Sequence, residues 1–311
     1  MSQLLTVLLA ERAKIAGSGE DAYAYDFNAQ GSGYIAVFDG CGGMGAKRYP
    51  AVDGKSGAYI GSRLAACLTD RYHRTTGAAF DGSDPIGLRD VLAEAFARVK
   101  TEITPTSGLQ LKGDLFKDLP TTASIVFIRP LSDGLVRCEY LWAGDSRGYF
   151  LDGQGMCQVT SDEVYTEEDA FTSLRNDARL RNVIHAGGGF SLSSKIIDLA
   201  TPSVVITATD GAFGYLLTPA HFEYIVLHAL YQADSVRAWQ ENIEQTISEI
   251  TGDDHAFIAA VYGAASLEDV KQYFLARFQI LQEQYIAPCE GASDEQLWAI
   301  WERYRKDYYR R

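Results

Sequence analysis

Asp-Gly occurs six times in this chain, at Asp39, Asp53, Asp81, Asp133, Asp152 and Asp210. Four of these, Asp53, Asp81, Asp133 and Asp152, read as turns, because aspartate and glycine both suit turn geometry. Asp39 and Asp210 differ. Each ends a strongly apolar run, in "YIAVFDGCGG" and "PSVVITATDG". A carboxylate at the edge of a core is costly unless a cation accompanies it, and no basic residue adjoins either acid closely in sequence. Glu20-Asp21 precedes another strand-like run, and Asp253-Asp254 precedes the last one. Acids at the ends of four core strands can converge on one divalent-metal site. Carboxylate and carbonyl oxygens favour Mg²⁺ or Mn²⁺ over zinc.

Two other patterns compete for the same stretches. Gly40, Gly42 and Gly45 fit G-x-G-x-x-G, which binds dinucleotides when strand, glycine loop and helix lead to a second strand ending in an acid. Here a helix over Lys55–Tyr72 leads into a second helix instead, and an acid directly before the glycines would repel a pyrophosphate. The dinucleotide reading is rejected. Gly144-Asp145-Ser146-Arg147-Gly148 matches G-x-S-x-G, the nucleophile elbow. An elbow passes from strand into helix, whereas "RGYFLDGQGM" is a strand and a hairpin turn. His185, His221, His228 and His255 all follow it, so chain order leaves a serine hydrolase using Ser146 as a distant alternative.

The elements that must carry these residues follow from periodicity. Strands are expected at Leu4–Leu9, Tyr23–Phe27 and Tyr34–Phe38, then helices at Lys55–Tyr72 and Asp84–Thr101. Thr104–Pro120 is turn-rich and expected to be exposed. Short β-type runs with Asp-Gly turns between them form an antiparallel meander from "TTASIVFIRP" to "GMCQVT". Glu167–Arg181 reads as helix and "HAGGGFSLSS" as loop. Strand "PSVVITATDG", helices Pro219–Tyr231 and Ser235–Ile250, strand "HAFIAAVYG" and helices Leu267–Tyr285 and Ser293–Tyr309 complete the chain. Strands in antiparallel groups with helices in pairs point to an α+β fold, with two antiparallel sheets and helices outside them.

Composition bounds the function. With 311 residues, 47% of them hydrophobic and 22% charged, the chain can bury a sizeable core. The formal net charge of −13 argues against a nucleic-acid backbone or an anionic membrane as the main partner. The five cysteines are scattered, with no C-x-x-C pair, so the expected compartment is a reducing cytoplasm.

Six segments now stand in a telling order: "GEDAY", "AVFDGCGG", "TTASIVFI", "WAGDSRGYFL" with "QVTSDE", "TATDG" and "DDHAFIAAVY". Together they resemble the PPM family, the type 2C metal-dependent serine/threonine protein phosphatases, over roughly residues 4–263. The resemblance implies a four-layer α-β-β-α sandwich and hydrolysis of phosphoserine or phosphothreonine in proteins. It implies two Mn²⁺ or Mg²⁺ ions. Asp39 would bridge both, and the Gly40 carbonyl would bind one. Asp210 and Asp253 would complete the first shell, and Glu20 and Asp21 would hold the second ion. Asp145 matches the acid that helps hold a third, weaker ion in many members. In such a site two cations about 3.5–4 Å apart make hydroxide available near neutral pH for attack on phosphorus.

The chain departs from the family's pattern at Ala16, where many members carry an arginine that contacts the substrate phosphate. Lys14, Lys47 and Arg48 are the substitutes nearest in sequence. That departure makes a pseudophosphatase, the same fold used as a binding module, the main alternative. Residues 264–311 extend beyond the resemblance. Their apolar stripe (Phe274, Phe278, Leu281, Tyr285, Leu297, Trp298, Ile300, Trp301) is expected to pack on residues 1–263, with a protein partner as the alternative occupant.

Overall fold

The structure is a computed structural model that describes residues 3–76, 85–104, 117–132, 134–166, 169–176 and 178–310. Strands β1 (Leu4–Arg12), β2 (Ala22–Phe27) and β3 (Gly33–Phe38) come first. The short hairpin β4 (Arg48–Tyr49) and β5 (Lys55–Ser56) follows, then helices α1 (Gly57–Thr76) and α2 (Pro85–Ile103). The meander is β6 (Ala123–Pro130), β7 (Leu135–Ala143), β8 (Arg147–Asp152) and β9 (Gly155–Gln158). After it come α3 (Ala170–Ser173), β10 (Ser193–Ala200), β11 (Ser203–Ala208), α4 (Asp210–Phe213), α5 (Ala220–Gln232), α6 (Val236–Ile250), β12 (His255–Tyr262), α7 (Leu267–Leu281) and α8 (Asp294–Tyr308).

Two five-stranded sheets stack face to face, in the orders β1-β12-β11-β8-β9 and β10-β7-β6-β3-β2, with antiparallel pairing throughout. Between them lie Ile35, Val37, Val126, Val205, Ile258 and Tyr262. Strands β3, β11 and β12 are buried along their whole length, because each has a sheet on one face and helices on the other. Helices α1 and α2 cover β3 and β6 through Leu68, Leu88, Leu92 and Phe96. On the far side α5 and α6 pack over β8, β11 and β12, and α7 and α8 join the same core through Phe274, Leu281, Ile300, Trp301 and Tyr304. This is the expected four-layer α-β-β-α sandwich.

The C-terminal helices are anchored by a buried ion pair. Arg277 donates to both oxygens of Glu223, at 2.6 and 2.8 Å, and to Asp307 at 3.1 Å, while the Tyr304 hydroxyl donates to Glu223 at 2.6 Å.

Several expectations need correction. Glu167–Arg181 is not one helix: among its described residues only Ala170–Ser173 coils, and the chain then returns to pair Val164 with Leu180. Backbone bonds from Tyr165 N to Arg179 O and from Arg181 N to Glu163 O hold that return, so tertiary pairing overrides helical spacing. Strand β10 was not expected. It is a sheet edge with alternating exposure and no continuous apolar run. The Thr104–Pro120 linker is not exposed at its end, where Leu119 is fully buried; its residues 105–116 lie outside the described residues, as do Asp81 and Asp133. Helix α7 stops at Leu281 and continues as a π turn over Gln282–Ile286.

Candidate active site

Strand register brings the acids together. Ala22 pairs with Phe38, so Asp21, one residue before β2, stands beside Asp39, one residue after β3. In the other sheet Ala208 pairs with both Phe257 and Arg147, which puts Asp210, Asp254 and Asp145 at the same end. The two sheets are tied there by Thr209, whose hydroxyl donates to Asp21 Oδ2 at 2.7 Å. Thr122 holds the main chain of Asp39. Its backbone N–H donates to the Asp39 carbonyl at 2.8 Å, and its hydroxyl accepts from Asp39 N at 3.3 Å.

Glycines allow the close approach. A Cβ on Gly211 would run into the Asp254 carbonyl, and one on Gly40 would press on the Glu20 and Ala58 carbonyls at 2.7 Å. Asp39-Gly40 and Asp210-Gly211 are therefore not turn pairs like Asp152-Gly153. Here the glycine lets neighbouring backbone close over the acid.

Asp39, Asp145 and Asp210 line one cleft of about 630 Å³ together with Cys41, Lys117, Arg179, Arg181 and His185. Asp145, Asp210 and Asp253 line an adjoining cavity of about 400 Å³, walled by Ser173–Asn176 and Ala178. Burial, then repulsion from Asp210, Asp21 and Asp145, pushes the Asp39 carboxyl well above its ordinary range. Burial, then Asp210 and Asp162, does the same to Asp145. Asp21 is also raised, chiefly by burial, against the opposing hydrogen bond from Thr209. Burial and the same acids push the Cys41 thiol up. Burial, then Lys117, lowers His185 to about 4.

Glu20 sits behind Asp21, with Oε1 accepting from the Ser56 hydroxyl and its carbonyl accepting from Ser62. Its loop is pinned by Asp254, whose place in the Asp253-Asp254 pair gives no sign of that role in the sequence. Oδ1 of Asp254 accepts from Lys14 N at 2.7 Å and Oδ2 from Glu20 N at 2.6 Å. Asp253 is exposed at the cavity mouth and accepts from Asp254 N at 2.8 Å.

The cations expected to replace an arginine at Ala16 lie elsewhere. Lys47 pairs with Asp118 at 3.1 Å, the exposed Arg48 side chain donates to Gly54 O, and Lys14 is exposed; none of the three lines either cavity. Lys117, Arg179 and Arg181 do line the cleft, and none pairs with a carboxylate among the described residues. They lie more than a hundred residues from Ala16, so nearness in sequence could not find them. Ser146 is buried, shares a 2.6 Å hydrogen bond with Thr122, and leads into strand β8; it is not an exposed nucleophile. His255, the first residue of β12, is buried, and burial lowers it to about 4.

The donor set fits hard divalent cations. Asp145 Oδ1 is buried with no hydrogen-bond partner among the described residues, and crowded acids call for positive charge. Among the described residues, no three His, Cys, Asp or Glu side chains cage an ion by themselves.

No family model and no curated protein sequence matches the chain. Solved structures do. The serine/threonine phosphatase Stp1 from Staphylococcus aureus is 16% identical, over 85% of this chain and 98% of its own, with a TM-score of 0.59. The PPM Ser-Thr phosphatase MsPP from Mycobacterium smegmatis, solved with cacodylate, is 15% identical over 84% and 100%, with a TM-score of 0.57. The catalytic domain of the phosphatase PstP, solved with two manganese ions, is 16% identical over 83% and 100%, with a TM-score of 0.53. This chain has the fold of the PPM-type serine/threonine phosphatases. Among its described residues no helix is long and apolar enough to cross a membrane.

Proposed function

We propose that the chain is a metal-dependent phosphatase that hydrolyses phosphoserine or phosphothreonine in proteins, in a cytoplasmic signalling role. The observation that carries this is the convergence of Asp21, Asp39, Asp145 and Asp210 at one end of both sheets, the last three lining a cleft with three cations on its walls. Asp39, the Gly40 carbonyl, Asp210 and Asp253 would hold one Mn²⁺ or Mg²⁺ ion, Asp39 with Glu20 and Asp21 a second, and Asp145 a third, weaker one. Such ions supply a water of lowered pKa and offset charge on the phosphoryl oxygens.

The protein's own groups do the rest. Lys117, Arg179 and Arg181 draw the phosphorylated segment into the cleft and orient it. Thr209 holds the carboxylate of Asp21, and Thr122 holds the backbone of Asp39 beside it. Cys41, its thiol pushed up by burial and acids, stays protonated and offers no thiolate nucleophile. His185 is neutral at neutral pH and adds no charge to the cleft. A direct, single-displacement hydrolysis is the reading these groups support. Ala16 favours one rival, the pseudophosphatase that binds phosphoproteins without turnover.

Phosphate release from a phosphoserine peptide and from p-nitrophenyl phosphate, each with Mn²⁺, tests the proposal. Turnover of both supports it. Tight peptide binding with no release from either substrate supports the rival.

A further inference from the structure

We propose that the C-terminal helix α8 sets the position of the wall of the cavity beside the cleft, and of the Arg179–Arg181 segment that continues from it into the cleft, and so governs binding of the phosphorylated segment without touching it. The inference rests on the phosphatase reading for its kinetic consequence, though not for its structural basis. Asp169 is the link. Its Oδ1 caps α3 by accepting from Phe171 N at 3.1 Å and Thr172 N at 2.9 Å. Its Oδ2 accepts from Trp301 Nε1 at 2.9 Å, so one carboxylate serves both α3 and α8. A second tie lies beside it, where Ala170 N donates to the Tyr309 hydroxyl at 2.8 Å. The Phe171 ring packs against Trp301 at 6.3 Å and Trp298 at 5.5 Å between centroids.

The other end of α3 meets the acids. Ser173 Oγ accepts from Arg147 Nη2 at 2.5 Å, and Arg147 is paired with Asp162 at 2.9 and 2.6 Å. Arg147 is 2% exposed and lies 4.3 Å over the ring of Phe213, in the short helix that begins with Asp210. Residues after α3, Leu174, Arg175 and Asn176, wall the cavity of Asp145, Asp210 and Asp253. Helix α3 has only four residues and cannot hold itself in place. Its position comes from α8 on one side and Arg147 on the other. Asp169, Trp301 and Tyr309 are therefore positioning residues, acting through the wall and through the cations that follow it.

Trp301→Phe tests this, because it keeps an aromatic ring in the layer and removes the donor to Asp169; the cavity it also opens is controlled for by a second core truncation. Its KM for a phosphoserine peptide should rise roughly tenfold, the worth of one hydrogen bond to a carboxylate, with kcat and the p-nitrophenyl phosphate constants unchanged. Tyr309→Phe should shift the same KM in the same direction. Val270→Ala, in the same buried layer but outside this network, should lower the melting temperature and leave KM alone. Amide hydrogen exchange supplies a reading that needs no turnover: Trp301→Phe should speed exchange at Phe171 and Thr172. Unchanged peptide KM and unchanged exchange in folded Trp301→Phe would overturn the proposal, as would a KM shift of equal size in Val270→Ala. If the wild type hydrolyses nothing and exchange still responds to Trp301→Phe, the phosphatase reading fails and the positioning role stands.

Discussion

Replacing Asp254 with alanine removes the clamp on the loop that carries Glu20, and the cost can be worked from the contacts. Asp254 accepts two backbone hydrogen bonds, at 2.7 Å from Lys14 and 2.6 Å from Glu20. A hydrogen bond to a charged acceptor is worth about 1.5–3 kcal/mol. The Lys14 contact is exposed, so water replaces it at little cost. The half-buried Glu20 contact sets the scale, about 2 kcal/mol. If Glu20 helps to hold a metal ion, binding must supply that ordering energy in the variant. Two kcal/mol corresponds to roughly thirtyfold weaker Mn²⁺ binding. Turnover at saturating Mn²⁺ should stay near wild type, because the acids of the cleft are untouched. Asp254→Asn keeps one acceptor oxygen and should fall between. A Mn²⁺ titration of p-nitrophenyl phosphate hydrolysis reads both parameters. An unchanged half-activating concentration would refute the link from Asp254 through Glu20 to the metal, and loss of kcat at saturation would assign Asp254 to the chemistry instead.

Asp39→Asn should abolish turnover yet raise the melting temperature of the metal-free protein, because it removes one charge from a crowd of acids. The sign for the wild type follows from the raised carboxyls of Asp21, Asp39 and Asp145: metal-free stability is highest near pH 4 and is lost as the pH rises through their folded-state range, and thermal unfolding with and without Mn²⁺ from pH 4 to 8 checks it. Asp118 has the opposite sign. Burial alone would raise it, but hydrogen bonds from Lys100, Tyr49 and Lys47 hold it down to about 2. Its contribution, about 1 kcal/mol after solvent screening, is present above pH 4 and lost as the pH falls toward 2, so Asp118→Asn should flatten acid unfolding in that window. Arg277→Met should cost about 3–5 kcal/mol in urea unfolding by leaving Glu223 buried without its cation, and Glu223→Leu added to it should recover most of that loss.

Much of this was legible because the acids lie where apolar runs end. Strands β3 and β11 are continuous apolar segments, so Asp39 and Asp210 had to emerge from the core edge, and their glycines carried a second signal. What stayed hidden lacks a local pattern. Asp254 looked like a duplicate of Asp253, and only the fold shows it turning toward Lys14 and Glu20. Strand β10 is an edge strand whose exposed face erases the apolar run. Residues 170–176 and 178–180 have helical spacing, yet pairing of Val164 with Leu180 and the grip of α8 on Asp169 decide their path. The cationic wall of Lys117, Arg179 and Arg181 comes from two distant segments, so proximity in sequence pointed to Lys14, Lys47 and Arg48 instead.

The central claim is that the carboxylates at the sheet ends hold the cations that make the chain a phosphatase. Release of phosphate from a phosphoserine peptide, measured after treatment with excess EDTA and again after Mn²⁺ is restored, tests it directly. The account predicts no release with EDTA, full recovery with Mn²⁺, and none under either condition for Asp39→Asn. Undiminished release in EDTA, or near-normal release by Asp39→Asn, would contradict it.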